Sequence, residues 1–413
     1  MKPWPLPSRA FPWGIRGSAG TAVSGRKGAL IKYVEFNITG RCQAGCITCP
    51  TPFAYPDEKI TKNPAELQQE FELFKRYFKK LKKFGLEFVT LYGREPLLWD
   101  KEFDPPNALL KKLIIWLSRN LRVRVCLATS GLGLEESVVK TLFDRGGILF
   151  MKDWGSESSV TRLIKRKNAF KQISRGWDLV KRMSKRYRKA KVVAEFLYTG
   201  INRRDLAGFW KRCYQNGFLP FVEVPVMKGD CLKNYRQLKI DRQRYVRDIY
   251  ELSLLNLNLR YGLSSDTARR ADIWQPPYGS VFPSPCDKLT RAQGVFLERN
   301  GNLSVCCGVN EQLGNIQDPD IKRRLQHNRV LQRMRTAYEY LGGYCQNCDY
   351  SKKLRLCYGC RGNADTYQNK DRGPFAHDPM CFGKIAYGLA RQGKLKSFVS
   401  RRHIDKIIQY FHH

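Results

Sequence analysis

Two rhythms of hydrophobic and polar positions alternate along residues 32–226. Short β-branched or aromatic runs at 33–38, 86–91, 122–128, 147–151, 192–198 and 221–226 read as strands. Longer runs with a helical period lie between them. In the first, Leu67, Phe71, Phe74, Phe78 and Leu81 recur every three or four residues, one apolar stripe of a helix that Gly85 stops. Over 168–188, Phe170, Ile173, Trp177, Val180, Met183 and Tyr187 keep the same spacing and read as core. Six strand–helix units in series predict a parallel α/β sheet, as an open fold or a partial barrel. In barrels the chemistry gathers on loops at the C-terminal ends of the strands.

Beyond 226 the pattern changes. Residues 227–284 read as a connecting region, with a basic helix over 241–258 and a Pro/Gly-rich stretch at 275–279. After 285 cysteines dominate and the alternation stops, and 384–413 reads as a basic amphipathic helix. Residues 1–30 are basic, rich in Pro, Gly and Ser and free of acid, the composition of a flexible tail or a transit peptide.

Composition narrows the function classes. With 413 residues and 42% hydrophobic positions, the chain supports a large core. No apolar run approaches the ~20 residues of a membrane span, and the N-terminal region lacks the apolar core of a signal peptide. The 14 cysteines, without an export signal, point to metal or cluster ligation in the cytoplasm and not to a disulfide framework. The net charge of +37 implies attraction to nucleic acid, an acidic peptide or a membrane surface, or else a solvated basic surface.

Cys42, Cys46 and Cys49, spaced C-x3-C-x2-C, directly follow the first strand. Three thiolates on one loop hold three corners of a cubic iron–sulfur cluster and leave the fourth iron open. Zinc is the alternative reading, but it prefers four ligands. The second strand ends in Gly93-Arg94-Glu95-Pro96 and the third in Thr129-Ser130-Gly131. Together these motifs resemble the radical S-adenosylmethionine (radical SAM) superfamily. The resemblance implies a partial (β/α)6, TIM-like barrel whose 4Fe–4S cluster chelates S-adenosylmethionine and cleaves it reductively to a 5′-deoxyadenosyl radical. It also implies that Gly93 and Glu95 hold the methionyl ammonium. Ser130 and Lys152 or Asp153 would contact the methionyl or ribose part, and Asn202 the ribose. Three positions depart from the family pattern: Thr48 replaces an aromatic residue, Arg94 a glycine and Ser130 an asparagine.

A second cysteine group follows: Cys286, Gly301 and Cys306, then Cys345, Cys348, Cys357 and Cys360, and last Cys381. Alone, the two C-x2-C pairs fit a zinc ribbon. In order and number the seven cysteines are similar to the SPASM extension of radical SAM enzymes, a small cysteine-rich domain here spanning 285–383 after a barrel over 31–226. The spacing after Cys348 departs from that pattern. The resemblance implies one or two auxiliary 4Fe–4S clusters, with Cys345, Cys348, Cys357 and Cys381 on the distal one. Cys286, Cys306 and Cys360 would serve the nearer one, whose fourth ligand is left open, with Cys307 and Cys231 as candidates. Cys126 and Cys213 read as core thiols.

The function this implies is hydrogen abstraction from a peptide or protein side chain by an oxidoreductase or modifying enzyme. A one-electron donor such as flavodoxin or ferredoxin would be its partner. Cys307 stands where sulfatase-maturating members carry an acidic base, which disfavours formylglycine formation. The ~30 residues before the barrel leave no room for a leader-binding domain of the ~80–90 residues found in some peptide-maturing members, about the smallest size that folds alone. RNA or a small metabolite is the alternative substrate. The 13 Lys and Arg against one acid over 161–191 motivate the first of these. A zinc-bound, non-enzymatic nucleic-acid-binding protein is the remote alternative.

Overall fold

The computed structural model describes residues 29–50, 63–187, 190–262, 264–270, 293–347, 360–367, 373–376 and 378. The segments at 1–28, 271–292 and 379–413, and Cys286, Cys348, Cys357 and Cys381, lie outside the described residues, so the expectations for the tail, the 275–279 stretch and the C-terminal helix do too.

Six strands alternate with helices as the pattern predicts. β1 (Tyr33–Asn37) leads to α1 (Pro64–Lys83), β2 (Phe88–Tyr92), α2 (Ala108–Arg119), β3 (Arg124–Thr129) and α3 (Glu136–Asp144). Then come β4 (Ile148–Asp153), α4 (Glu157–Leu163), α5 (Ala169–Arg186), β5 (Lys191–Leu197), α6 (Leu206–Asn216) and β6 (Leu219–Glu223). Neighbouring strands pair parallel and in register, Phe36 with Leu91 and Leu91 with Leu127. The outward-facing side chains of these strands meet the helix stripes. All five stripe residues of α1 are buried, and Phe36 packs edge-on against Phe74 and Phe78 at 4.7 and 5.2 Å. At roughly 1.5–3 kcal/mol per buried large apolar side chain, such stripes anchor the helices to the sheet.

Inward-facing side chains make a second, separate cluster. Tyr33, Phe88, Cys126, Ile148 and Val193 are buried together, with Phe150, Leu219 and Phe221 packed against them. These residues share one face of six successive parallel strands, the sheet typical of a partial (β/α)6 barrel. Strand β6 lies at the edge of the sheet, where Pro220 removes no ladder hydrogen bond. It begins two residues before the expected 221 and ends at Glu223.

After β6 the chain forms α7 (Gly229–Lys233), α8 (Tyr235–Leu238), α9 (Arg242–Tyr261) and α10 (Ser265–Arg270). Helix α9 matches the expected basic helix; Asp241 caps its start by accepting from the Arg244 amide at 3.0 Å. β7 (Gly294–Glu298), β8 (Asn302–Cys306) and β9 (Val309–Asn315) follow. β7 pairs parallel with β1, and β8 and β9 add antiparallel, giving the order β6-β5-β4-β3-β2-β1-β7-β8-β9. The cysteine-rich region therefore starts as an extension of the barrel sheet, which its composition did not signal. Helices α11 (Ile321–His327), α12 (Arg329–Arg335), α13 (Ala337–Tyr340) and α14 (Arg361–Tyr367) complete the described chain. Among the described residues no helix is long and apolar enough to cross a membrane.

Candidate functional site

The segments that leave β1 and β2 run side by side toward the C-terminal mouth of the barrel. The Ile38 amide donates to Tyr92 O at 2.9 Å, Arg94 N to Thr39 O at 3.2 Å, and Glu95 N to Arg41 O at 3.0 Å. This approach requires Gly93. Its φ is +147°, and a Cβ there would stand 2.8 Å from Thr39 O and 2.9 Å from Asn37 Oδ1.

The three-cysteine loop closes over this point. Gly45 turns it with φ +62°, the Cys49 amide donates to Cys46 O, and Ile47 N donates to Leu163 O at 3.0 Å. Gln43 reaches the β3 loop through Leu132 O at 3.1 Å, and Arg41 pairs with Glu102. The loop is thus fixed from three sides, while Cys42 is exposed. Burial pushes the Cys46 thiol up, and the charges of Cys42, Cys49 and Glu95 push the same way, against the opposing field of Lys152. Three thiols crowded in this way make a donor set that favours a cationic iron centre. Among the described residues no three acidic, Cys or His side chains converge as one metal ion requires. A single tetrahedral zinc needs every sulfur ~2.3 Å from one point. A cubane instead takes each thiolate on a different iron, and three thiolates leave its fourth iron open.

Under the loop sits Glu95, fully buried. Its Oε1 accepts from Thr129 Oγ1 at 2.7 Å, and its Oε2 from the Ser130 amide at 3.0 Å and from Ser130 Oγ. Burial pushes its carboxyl above the usual range, although the Ser130, Thr129 and Leu97 donors pull it down. Gly93, Glu95 and Ser130 are therefore brought together beneath the three cysteines, as the sequence motifs suggested. Lys152 joins them at the end of β4. Its ammonium pairs with Glu195 at 3.2 Å; burial opposes its charge, but Glu195, Cys46 and Glu223 hold its pKa above the ordinary value.

Two expected contacts turn out differently. Asn202 is fully buried, and its amide is saturated. Oδ1 accepts from Thr199 N and Oγ1, both at 2.9 Å, while Nδ2 donates to Leu197 O and Trp154 O. It ties the β5 turn to the β4 turn and leaves no polar atom for a ribose. Asp153 faces the outer helices, accepting from Gly155 N at 2.7 Å and pairing with Arg212 at 2.9 Å.

The second cysteine group is partly visible. Two glycines pack closely near Cys306 and Cys360: a Cβ on Gly308 would stand 2.8 Å from Gly362 Cα and 3.6 Å from Cys306 Sγ. Cys307, exposed, lies in the field of Tyr92 together with Cys49. Cys345 is buried on the turn Gly343–Asn347. Cys231 belongs to the first group in space: its amide donates to Cys49 O at 3.1 Å, and its thiol is buried 3.5 Å from Met227 Sδ. Burial, with the charge of Cys49, pushes that thiol up to about 12. Cys126 and Cys213 are both buried among apolar neighbours.

Sequence reasoning missed the carboxylates inside the barrel. Glu195 is 4% exposed; Glu35 accepts from Tyr33 Oη at 3.2 Å, and Glu298 from Asn37 Nδ2 at 2.8 Å. The available signal was a lone Glu inside the apolar run Val192-Val193-Ala194-Glu195-Phe196-Leu197.

A partial barrel with a three-cysteine loop at the mouth of its first strand, over a buried Gly-x-Glu turn, has the architecture of a radical SAM enzyme. The Radical SAM superfamily profile matches residues 36–209, the stretch that holds the three-cysteine loop and most of the parallel sheet. No curated protein matches the chain by sequence. Among solved structures, it is similar to Streptococcus suis SuiB bound to precursor peptide SuiA. The TM-score is 0.56 and the identity 14%, over 86% of this chain and 76% of that one. It is also similar to native anSMEcpe with bound AdoMet, with a TM-score of 0.59 and 16% identity over 88% and 97% of the two chains. For anSMEcpe with AdoMet and the Cp18Cys peptide, the values are 0.58 and 15% over the same shares.

Proposed function

We propose that the protein is a radical SAM enzyme that abstracts hydrogen from a side chain of a polypeptide substrate. The observation that carries this reading is the constellation at the barrel mouth: Cys42, Cys46 and Cys49 on one pinned loop, with Glu95 and Ser130 directly beneath. A 4Fe–4S cluster held by those thiolates would, with S-adenosylmethionine bound, supply a 5′-deoxyadenosyl radical as the hydrogen-abstracting agent.

The chain's own residues do the rest. Glu95 offers the remaining lone pairs of a buried carboxylate to the methionyl ammonium. Lys152 is the cation suited to the methionyl carboxylate, exchanging its pairing with Glu195. The apolar inner layer of Tyr33, Phe88, Cys126, Ile148 and Val193 is buried inside the sheet and would help keep water from a reactive carbon radical. Support for the peptide class comes from the neighbours SuiB and anSMEcpe, whose structures carry the precursor peptide SuiA and the Cp18Cys peptide.

In the same reading the region from 285 is a SPASM domain. Cys306 and Cys360, each two residues before one of the packed glycines Gly308 and Gly362, contribute to the nearer auxiliary cluster, and a flavodoxin- or ferredoxin-type donor supplies the electron. Anaerobic purification tests the core of this proposal. The expected protein is brown and, when reduced with S-adenosylmethionine, releases 5′-deoxyadenosine; Cys46→Ala abolishes that release. A colourless protein holding only zinc sinks the reading.

A further inference from the structure

The outer surface beside the barrel mouth carries a charge distribution that the chemistry above does not use. Between 162 and 191, ten Lys and Arg side chains are exposed, and Asp178 is the only acid in that stretch. Among the described residues none of the ten forms an ion pair, whereas Arg41, Arg203, Arg212 and Arg299 each pair with a carboxylate.

The band begins at the active-site rim. Cys46 forms a backbone bridge with Ile164, and a Cβ on Gly45 would lie 3.4 Å from Lys165 Cβ. Arg166 and Lys167 follow, then Lys171 and Arg175 on the first turns of α5. Cations at this end of a helix oppose its macrodipole. No acid offsets them in the first turn, and Asn168 makes no side-chain cap bond. Their placement costs the fold stability, so a merely solvated face does not account for it.

The face also excludes stacking. Phe170, Trp177 and Tyr187 are half-buried, with Trp177 against Phe218 at 5.6 Å and Tyr187 against Phe143 at 5.8 Å. Proteins that track single-stranded nucleic acid combine basic grooves with exposed aromatic platforms, and here only charge is offered. One helical turn separates Lys171 from Arg175 by about 6 Å. Alternate side chains of an extended peptide lie about 6.7 Å apart, a close match.

We infer that the band from Arg162 along α5 docks an acidic segment of the polypeptide substrate, delivering the adjoining segment to the barrel mouth. The inference deepens the peptide reading of the site and rests on it. Docking on unpaired surface cations is steered by charge and weakens with salt.

The test compares two variants of equal charge change in the full, cluster-loaded protein. One is Arg166→Glu/Lys171→Glu/Arg175→Glu on the band. The other is Arg76→Glu/Lys79→Glu/Lys83→Glu on the exposed face of α1. The probes are a fluorescein-labelled alternating Glu-Ala 16-mer and a labelled 16-nucleotide single-stranded RNA at physiological salt. The band variant is expected to weaken peptide binding at least tenfold and the α1 variant less than twofold. Equal losses in both variants, or none in the band variant, overturn the inference, because attraction would then be a property of the whole surface. RNA binding tighter than peptide and lost in the band variant also overturns it in favour of nucleic acid. A Gln version of the band variant keeps the comparison if the Glu version folds poorly. Release of 5′-deoxyadenosine is measured alongside: its absence in the wild type defeats the radical reading, whereas its persistence in the band variant isolates a docking failure.

Discussion

Glu95 illustrates how one side chain can tie the fold together at the candidate site. Its carboxylate closes the ends of β2 and β3 through Thr129 and Ser130, and the same oxygens lie under the cysteine loop. In Glu95→Gln an amide NH2 would replace one acceptor and face donors at Thr129 and Ser130. We expect S-adenosylmethionine affinity to fall at least tenfold by calorimetric titration, with stability lower by about 1–3 kcal/mol. Unchanged affinity would remove Glu95 from ammonium binding. Asp100 supplies a pH signature of different origin. It is fully buried, accepts from the Leu109 and Leu110 amides at 2.6 and 3.1 Å, and burial raises its carboxyl to about 6. Because the folded value exceeds the unfolded one, folding takes up a proton. The stabilising contribution is therefore complete below about pH 4 and lost as pH rises to about 6, roughly 3 kcal/mol over that window. Denaturation of wild type and Asp100→Asn between pH 4 and 7 should show this fall in the wild type relative to the variant. Parallel curves would contradict it. Sequence motifs singled out Gly93, Glu95 and Ser130 because each lies in a short local pattern at a strand end, and the fold sets the three side by side. They gave no sign of the hydrogen bonds of Asn202, whose partners Trp154 and Leu197 come from two different strand ends that no local pattern reveals.

Helices and strands were legible where one face is apolar and the other polar. The α1 stripe is the clearest case: Asn63 and Glu66 form a capping box at its start, and Gly85, with φ +105°, ends it against Ala29. Phe74 is the centre of that stripe, touching Phe36, Tyr77 and Trp99 within 6.3 Å between ring centroids. Phe74→Ala should cost about 3–5 kcal/mol in urea denaturation through lost transfer energy and a residual cavity. A loss under 1 kcal/mol would mean that α1 is not clamped to β1 as described. The strands β7–β9 were not legible as part of the barrel sheet, for a physical reason. Pairing of β7 with β1 joins residues some 260 positions apart in sequence, Phe36 with Leu297 for instance, and local periodicity says nothing about such partners. Element ends were less legible than element identity. β6 is displaced toward its N-terminus because the chain must turn after Glu223 to bring Met227 N to Asn363 Oδ1, 3.2 Å away.

That turn links the two cysteine groups of the whole molecule. From it, Cys231 N reaches the first group at Cys49 O, while Met227 reaches the helix that begins next to Cys360. Val226 also lies 3.6 Å from where a Cβ on Gly308 would stand, beside Cys306. The mouth of the barrel and the cysteine-rich region thus share one short connection. Charge is partitioned at the same scale: Glu35, Glu195, Glu223 and Glu298 sit on barrel strands, while exposed Lys and Arg cover the helices. The net charge of +37 showed the excess but not this division, which depends on which face of each strand turns inward. The proposed division of labour between the cysteine groups predicts separable losses. In anaerobically reconstituted Cys306→Ala/Cys360→Ala, iron should fall by about four per chain, one 4Fe–4S complement, while S-adenosylmethionine cleavage persists. In Cys42→Ala/Cys46→Ala/Cys49→Ala a similar amount of iron should be lost and cleavage abolished. If the first variant keeps all its iron, Cys306 and Cys360 are not cluster ligands, and the close contact of Gly308 with Gly362 serves packing alone.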